Sequence, residues 1–342
     1  MEQQTIEINS TVSIIPNIAT ENENNLKQTK DFSPSTLEFS PITLAEQKRI
    51  NEYLGKTHYN TLEYNFTTLF IWQESYHFSW AEQDHVLYIR SCYHGETKFF
   101  PPILKDTMIP CTEKEQVFQK AVQNILNYCN ENHITPVFEE ITENDREKMV
   151  FTLKNDFLIE ANRNLANYIY YVSVLTNLKG RSFNGKRNHI RRFERENPDF
   201  QFLPLTEELL AGCRKHAEGW YHKHPEKDSI TLQEEKIAIL KTLDHFHQLH
   251  LKGGCILMNG KVEAFAIGEP LNETMAVIHF EKGNLEIGGI YTALNKYFLE
   301  QSWQDYLLVN RGEDLGNPGL RKAKKDYKPA WLEMKYTAKP KE

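Results

Sequence analysis

The 342-residue sequence lacks the long hydrophobic runs, paired cysteines and signal-peptide pattern that would place it in a membrane or outside the cell. No apolar stretch approaches the ~18–20 residues that a membrane-spanning helix needs, and neither a basic nor an apolar region follows Met1. The five cysteines are scattered and form no C-x-x-C pair, which indicates reduced thiols. These absences predict a cytoplasmic protein without an integral membrane segment.

Signatures of hydrolytic and metal chemistry are also missing. The sequence contains no G-x-S-x-G, Walker A loop or H-E-x-x-H, so hydrolase, nucleotidase and metalloprotease functions have no support. Of the histidines at 222, 224, 245, 247 and 250, only His247 and His250 fall on one helical face, and no third ligand stands at a usual spacing. We therefore predict no metal and no certain cofactor.

The charge is divided unevenly along the chain, whose net charge is -7. Residues 177–342 carry 26 Lys and Arg against 23 Asp and Glu, whereas residues 1–176 carry 14 against 24. An acidic half joined to a mildly basic half indicates that an anionic partner meets the second half. Chance drift of surface charge is the alternative.

Hydrophobic patterns predict three regions. Residues 1–34 are polar and are expected to form a disordered tail. Residues 35–176 and 177–342 each alternate helix and strand patterns, which is typical of an α/β (α+β) fold. The pattern in residues 177–342 predicts, in order, two long helices, a hairpin at Asn259-Gly260, a strand, a glycine turn, a helix, a strand, a helix and a strand. This is the order of a GNAT-like domain, and similar content in the first region predicts a tandem pair. Two of the predicted strands are Ile169–Leu175 and Trp331–Tyr336.

A basic segment opens the second region. Asn184 is predicted to cap a helix over residues 185–197, whose first turns carry Lys186, Arg187, Asn188 and Arg191. Cationic side chains beside free backbone N–H groups suit a phosphate. A solvated basic face is the alternative.

A strand followed by Gly288 and Gly289 is the second candidate segment. It contains His279, Glu281 and Lys282, and the glycines would let the backbone approach a pyrophosphate. A coenzyme A signature needs Gln or Arg three residues before the first glycine, but Leu285 and Glu286 stand there. Coenzyme A is therefore disfavoured, and His279 reads as a core histidine.

The third candidate segment is a polar turn that follows a strand. Asn310, Arg311 and Asp314 precede a helix that Asn317 caps and Pro318 begins, and the helix carries Arg321, Lys322, Lys324 and Lys325. Such turns at the carboxyl ends of strands often hold sites in α/β folds. An ordinary surface helix with ion pairs is the alternative.

Together these segments resemble the C-terminal domain of bacterial phosphatidylglycerol lysyltransferases and the stand-alone proteins built from it. The resemblance covers roughly residues 36–337, more diffusely before residue 176. The residues that carry it are Leu178–Gly180, Arg187–Ile190, Gly253-Gly254, Gly260-Lys261, Ala264–Gly268, His279–Lys282, Asn310-Arg311, Asp314–Gly316 and Gly319–Lys324.

The resemblance implies tandem GNAT-like acyltransferase domains related to the Fem-type peptidyltransferases. For the lysyltransferases proper it also implies transfer of an aminoacyl group from a charged tRNA. Two departures concern the acceptor: no flippase region is present, and Gly312 stands where an acid is expected after Asn310-Arg311.

Aminoacyl transfer gives these residues chemical roles. The protein must hold a tRNA 3′ end, orient a nucleophile and stabilise an oxyanion. We predict catalytic roles for Glu281, Asp314 and Lys325. We predict substrate or phosphate binding at Lys186, Arg187, Asn188, Arg191, Lys282, Gly288, Gly289, Asn310, Arg311, Arg321 and Lys322.

Two alternatives stay open at this point. One is an acyl-coenzyme A-dependent N-acetyltransferase, and the other is a non-catalytic module that binds RNA or another anion. The acceptor, an amine or a hydroxyl, is not identified, and peripheral contact with a membrane is compatible with the sequence. One basic cluster consists of Lys186, Arg187 and Arg191, and the other of Arg321, Lys322 and Lys325. We expect the two clusters to converge on one cleft with Glu281 and Asp314 at its floor.

Overall fold

Two mixed β-sheets organise the computed structural model, which describes residues 37–55, 59–105, 107–223 and 229–341. The predicted tail at residues 1–34 lies outside these residues. The strands are β1 (Ser40–Pro41), β2 (Ser79–Gln83), β3 (Val86–Tyr93), β4 (Glu96–Phe99), β5 (Ile103–Leu104), β6 (Phe138–Thr142), β7 (Phe157–Ala161), β8 (Asn167–Tyr171), β9 (Gln201–Pro204), β10 (Lys252–Met258), β11 (Lys261–Pro270), β12 (Met275–Gly283), β13 (Leu308–Asn310), β14 (Trp331–Glu333) and β15 (Lys335–Pro340).

Helices connect these strands and cover the sheets. They are α1 (Gln47–Leu54), α2 (Phe66–Ile71), α3 (Gln73–Tyr76), α4 (Lys114–Glu131), α5 (Glu143–Leu153), α6 (Val172–Asn177), α7 (Asn184–Glu196), α8 (Glu207–Lys223), α9 (Ile230–Asp244), α10 (Ile290–Ser302) and α11 (Pro318–Lys325). Among the described residues, none of the helices is long and apolar enough to span a bilayer.

The two sheets repeat one plan. The first has the order β1-β2-β3-β4-β6-β15-β7, with β5 beside β3, and the second has the order β14-β8-β13-β12-β11-β10-β9. In each, three antiparallel strands are followed by a helix and a parallel strand: β2, β3, β4, α4 and β6 in the first, and β10, β11, β12, α10 and β13 in the second. The predicted α/β (α+β) class is confirmed.

Each sheet also contains one strand from the other half of the chain. Strand β15 lies between β6 and β7 in the first sheet, and β8 lies between β13 and β14 in the second. The described residues form one compact unit. The predicted division at residue 176 stays a prediction.

Small residues bring α10 close to the second sheet. Along β11, Ala264 and Ala266 pack in the cluster that includes Ala293 of α10, whereas Phe265 and Ile267 face the cluster of α8 and α9. This alternation follows from the two-residue period of a strand. The glycine-type turn at Asn259-Gly260, with φ values of 50° and 72°, joins β10 to β11 as predicted.

Three local predictions were wrong. The strand predicted over Ile169–Leu175 ends at Tyr171, and Val172 begins α6. The strand predicted over Trp331–Tyr336 is divided between β14 and β15, which pair in different sheets. Asn184 does not cap α7: it is the first residue of the helix, and its side chain accepts from Arg187.

Candidate active site

An opening between β12 and β13 forms the centre of the candidate site. The two parallel strands pair only from Met275 to Val277 on β12, and β12 then continues to Gly283 paired with β11 but not with β13. The register of β12 against β11 shifts so that His279 is an additional residue between Ile278 and Phe280. Such a bulge bends a strand and re-aims the side chains that follow it. The imidazole itself is held 2.7 Å from the Glu269 carboxylate.

Glu281 and Arg311 face each other across this opening. Oε1 of Glu281 accepts a hydrogen bond of 3.0 Å from Asn295 on α10, and Oε2 accepts one from Nη2 of Arg311. The side chain of Arg311 is only 12% exposed, yet its Nε and Nη1 find no hydrogen-bond partner in the described part of the chain. Burial alone would lower the pKa of Arg311, but attraction to Glu281 outweighs it and raises the pKa. Two buried donor nitrogens of a permanent cation are therefore left without a partner among the described residues, and an oxyanion has the charge and acceptors to match them.

Aromatic rings enclose the Arg311 guanidinium. Its Cζ lies 5.7 Å from the ring centroid of Tyr170 and 4.9 Å from that of Tyr327. The Nζ of Lys186 lies 3.9 Å from the centroid of the same Tyr327 ring. Burial lowers the pKa of Lys186, and the charges of Arg311 and Lys322 lower it further. The basic start of α7 and the turn after β13 thus meet at Tyr327.

Lys324 turns inward from α11 toward the same opening. Its ammonium donates to the backbone carbonyl of Arg311, and its Nζ lies 5.7 Å from the ring centroid of Tyr168. Burial, together with the positive charge of Arg311, lowers the pKa of Lys324 to about 8. An amine with this pKa can exchange a proton near neutral pH. The neighbouring Lys325, which was the predicted catalytic lysine, is exposed.

Asp314 is completely buried and surrounded by donors. Arg321 donates from Nε and Nη2 at 2.9 and 2.8 Å, Tyr168 from its hydroxyl at 2.6 Å, Arg163 from Nη1 at 3.2 Å, and the Gly316 backbone at 2.9 Å. Burial would raise the pKa of Asp314, but these hydrogen bonds hold it well below its ordinary value. A carboxylate so fully engaged orients its partners more readily than it accepts a substrate proton.

The comparison with protein families gives one match, to the family described as phosphatidylglycerol lysyltransferase, C-terminal, over residues 56–339. The chain belongs to this family. The resemblance predicted from the sequence is thereby confirmed, and family membership supports an acyltransferase in general terms. No curated protein matches the chain.

Solved structures agree with this family fold. A conserved protein of unknown function from Bacteroides thetaiotaomicron VPI-5482 is 28% identical, with a TM-score of 0.82 over 90% of this chain and 100% of that one. L-PGS from Bacillus licheniformis is 17% identical, with a TM-score of 0.61 over 88% and 93%. The C-terminal domain of a putative lysylphosphatidylglycerol synthetase from Agrobacterium fabrum is 12% identical, with a TM-score of 0.62 over the same shares.

Several residues predicted to bind substrate make contacts within the protein. Arg187 donates to the carbonyls of Leu178 and Gly180 and so holds the turn before α7. Lys282 lies on the opposite face of β12 from Glu281, buried 2.8 Å from Glu235 and 3.9 Å from the Trp220 ring centroid.

Asn310 is buried at the end of β13. Its Nδ2 donates to the Asn60 carbonyl at 2.6 Å and to Asn167 at 2.7 Å, while its Oδ1 accepts from Gly312. These contacts use both donors and fix the turn that carries Arg311. The remaining predicted residues are on the surface: Asn188, Arg191, Gly288 and Lys322 are exposed.

Gly289 lies where the start of α10 packs against α7. A Cβ built there would lie 2.5 Å from the His189 carbonyl of α7, and the residue has a φ of +85°. The start of α10 is therefore covered by the backbone of α7, with a carbonyl oxygen nearby. This arrangement does not resemble an open cradle for the pyrophosphate of coenzyme A.

Sequence reasoning missed the residues that come from distant elements. Asn295, Tyr170 and Tyr327 read as core residues at helix or strand spacing, and Arg163 stands alone in a loop of the first half. Lys324 was visible in the basic run of α11, but the sequence contained no signal to separate its inward side chain from that of Lys325.

Proposed function

We propose that the protein transfers an aminoacyl group from a charged tRNA to an amine or hydroxyl acceptor. Membership in the lysyltransferase family, the buried unpaired N–H groups of Arg311 and the nearby cations support this proposal. Such a donor also implies that the protein acts in the cytoplasm.

The reaction needs little from the protein beyond position and charge. The acceptor N or O attacks the ester carbonyl carbon, and a negative charge develops on the carbonyl oxygen. Nε and Nη1 of Arg311 stabilise that oxygen, while Glu281 and Asn295 keep the guanidinium oriented. When the bond to the ribose oxygen breaks, the tRNA leaves with a free hydroxyl.

Lys324 is the group best placed to move the proton. Its pKa of about 8 leaves an appreciable neutral fraction near neutral pH, and this form accepts the proton of the attacking group. The ammonium then gives the proton to the leaving ribose oxygen. The exposed cations Arg191, Lys322 and Lys325 are suited to phosphates farther along the tRNA.

The observation that carries the proposal is the buried guanidinium of Arg311 with two unpaired donors. The test uses bulk tRNA charged with labelled amino acids, incubated with an extract of small molecules and lipids. Label that leaves the acid-precipitable RNA and enters another product measures transfer. Replacing one oxyanion donor typically lowers kcat about 10²–10³-fold, and we expect a loss of at least that size for Arg311→Ala.

Arg146→Ala on α5 is the matched control and should retain full activity. Transfer from acetyl-coenzyme A with none from charged tRNA would identify an acetyltransferase instead. Binding of tRNA without any transfer, equal in the wild type and Arg311→Ala, would favour the non-catalytic binding module.

A further inference from the structure

Two arginines from opposite halves of the chain share the buried carboxylate of Asp314. Arg163 comes from the short turn Arg163–Leu165 before β8, and Arg321 comes from α11. Asp314 is 0% exposed, whereas the two arginine side chains are 32% and 31% exposed. The shared carboxylate therefore anchors two guanidinium groups whose outer parts reach solvent.

This cluster carries an excess positive charge. Two permanent cations face one carboxylate, and the Tyr168 hydroxyl that completes the group is a neutral donor. Arg321 uses Nε and Nη2 for Asp314 and Asn164, while Arg163 uses Nη1 and Nη2 for Asp314 and Tyr168. A guanidinium has five N–H donors, and these contacts use three of those on Arg321 and two of those on Arg163. A rigid pair of guanidiniums with spare donors suits an oxyanion with several acceptor oxygens, such as a phosphate.

The pair lies one aromatic side chain away from the opening between β12 and β13. The Cζ of Arg163 is 5.4 Å from the Tyr168 ring centroid, and the Nζ of Lys324 is 5.7 Å from the same centroid. The backbone of Arg311 donates to the Tyr168 carbonyl at 3.1 Å. In a charged tRNA, the ester and the nearest phosphodiester belong to the same terminal nucleoside, so a phosphate site is needed close to the reacting carbonyl.

We propose that Arg163 and Arg321, oriented by Asp314, bind a phosphodiester of the tRNA 3′ strand beside the aminoacyl ester. This inference rests on the proposed function and adds a binding subsite to it. Arg163 is the new residue, and it makes the subsite dependent on both halves of the chain. Asp314 and Tyr168 act here as positioning residues.

The test measures binding of an uncharged single-stranded RNA ending in CCA by fluorescence anisotropy at several salt concentrations. Loss of one phosphate contact should lower the log–log salt slope by about 0.7. Since a hydrogen bond to a charged group is worth about a tenfold change in equilibrium or more, Arg163→Ala should weaken binding about tenfold at low salt. Arg163→Lys keeps the charge and should keep the slope, with part of the affinity restored. Arg146→Ala should match the wild type in both quantities.

Thermal melting of each variant separates binding from folding, because destabilised protein would lose signal without a change in slope. An unchanged slope and affinity for Arg163→Ala would overturn the subsite. If Arg163→Ala instead lost only its binding to vesicles containing phosphatidylglycerol, the RNA assignment would be wrong and a lipid headgroup would take its place. Both results leave the proposed transfer intact, since that is judged separately by Arg311→Ala with charged tRNA.

Discussion

Replacing Lys335 with Met should destabilise the protein in a strongly pH-dependent way. Lys335 opens β15, is 1% exposed, and places its ammonium 2.6 Å from Glu63 and 2.7 Å from Glu140. Burial alone would lower the pKa of Lys335, but the two carboxylates outweigh it and raise the pKa. Glu313 also faces this cluster, so three acids surround one lysine.

The direction of the pH dependence follows from the two glutamates. Burial raises the pKa of Glu140 from 4.5 to about 8 and also raises that of Glu63, so the folded state holds these protons more tightly than the unfolded state does. Stability therefore falls as the pH rises through this window. Without the lysine, ionised carboxylates would be buried together with no cation, and both pKa values would rise further.

The magnitude follows from the cost of breaking a buried ion pair. We expect Lys335→Met to lose about 3–5 kcal/mol near pH 9, where the carboxylates must ionise. Near pH 5.5 they remain protonated in the folded variant, and the loss should fall to about 1 kcal/mol or less.

Urea unfolding followed by tryptophan fluorescence at both pH values measures this difference. Lys120→Met is the control, because Lys120 and Asp84 form an exposed pair that contributes about 0–1 kcal/mol. Adding Glu140→Gln to the Lys335 variant should recover stability near pH 9. A loss of equal size at both pH values would refute the reasoning, and so would a loss near pH 9 no larger than that of the control.

Three further predictions concern single residues near the candidate site. Gly289→Ala should cost about 2–3 kcal/mol and lower the Tm, because the new Cβ meets the His189 carbonyl and the φ of the residue is +85°. In the control Gly219→Ala on α8, the new Cβ meets no atom within 4 Å and should instead stabilise the protein by about 0.5–1 kcal/mol. Equal effects of the two substitutions would contradict the close contact between α7 and α10. In the wild type, kcat/KM should rise with pH through about 8 as Lys324 loses its proton, and Lys324→Met should abolish this rise. A rise of kcat/KM through the same pH range in the variant would exclude Lys324 as the proton acceptor. Lys282→Met should lower stability through loss of the contact with Glu235 yet retain transfer activity, because the side chain of Lys282 lies on the opposite face of β12 from Glu281. Loss of transfer activity without a change in Tm would show that Lys282 acts in the reaction.

Local elements were predictable where a few neighbouring residues determine them. Helix α5 (Glu143–Leu153) has a start that a few residues define, because the side chain of Thr142 caps it. The hairpin at Asn259-Gly260 follows from the left-handed conformations that these two residues tolerate. The pairing of β8 and β15 was not predictable, because a strand pattern does not indicate which distant edge the strand will join.

The site was predictable in its chemistry more than in its arrangement. The basic start of α7, the strand that carries Glu281 and the turn that carries Arg311 were each selected from the sequence as candidate segments, while the cleft predicted between the two basic clusters stays a prediction. Side-chain direction decided the rest. Asp314 faces inward to two arginines, and Lys324 rather than Lys325 faces the opening, since one residue along a helix rotates a side chain by about 100°.

Because each sheet contains a strand from the other half of the chain, the first sheet can be completed only after the C-terminal strand β15 has been synthesised. Strand β15 lies between β6 and β7, yet it is made about 190 residues after β6 and about 170 residues after β7. While the chain is still on the ribosome, the facing edges of β6 and β7 lack their shared neighbour and expose unpaired backbone groups. Any truncation that removes Lys335–Pro340 would leave that gap permanently in a sheet whose other strands all lie between Ser40 and Ala161. A defect at the C-terminal end of the chain would then be detected as instability and aggregation of its N-terminal half.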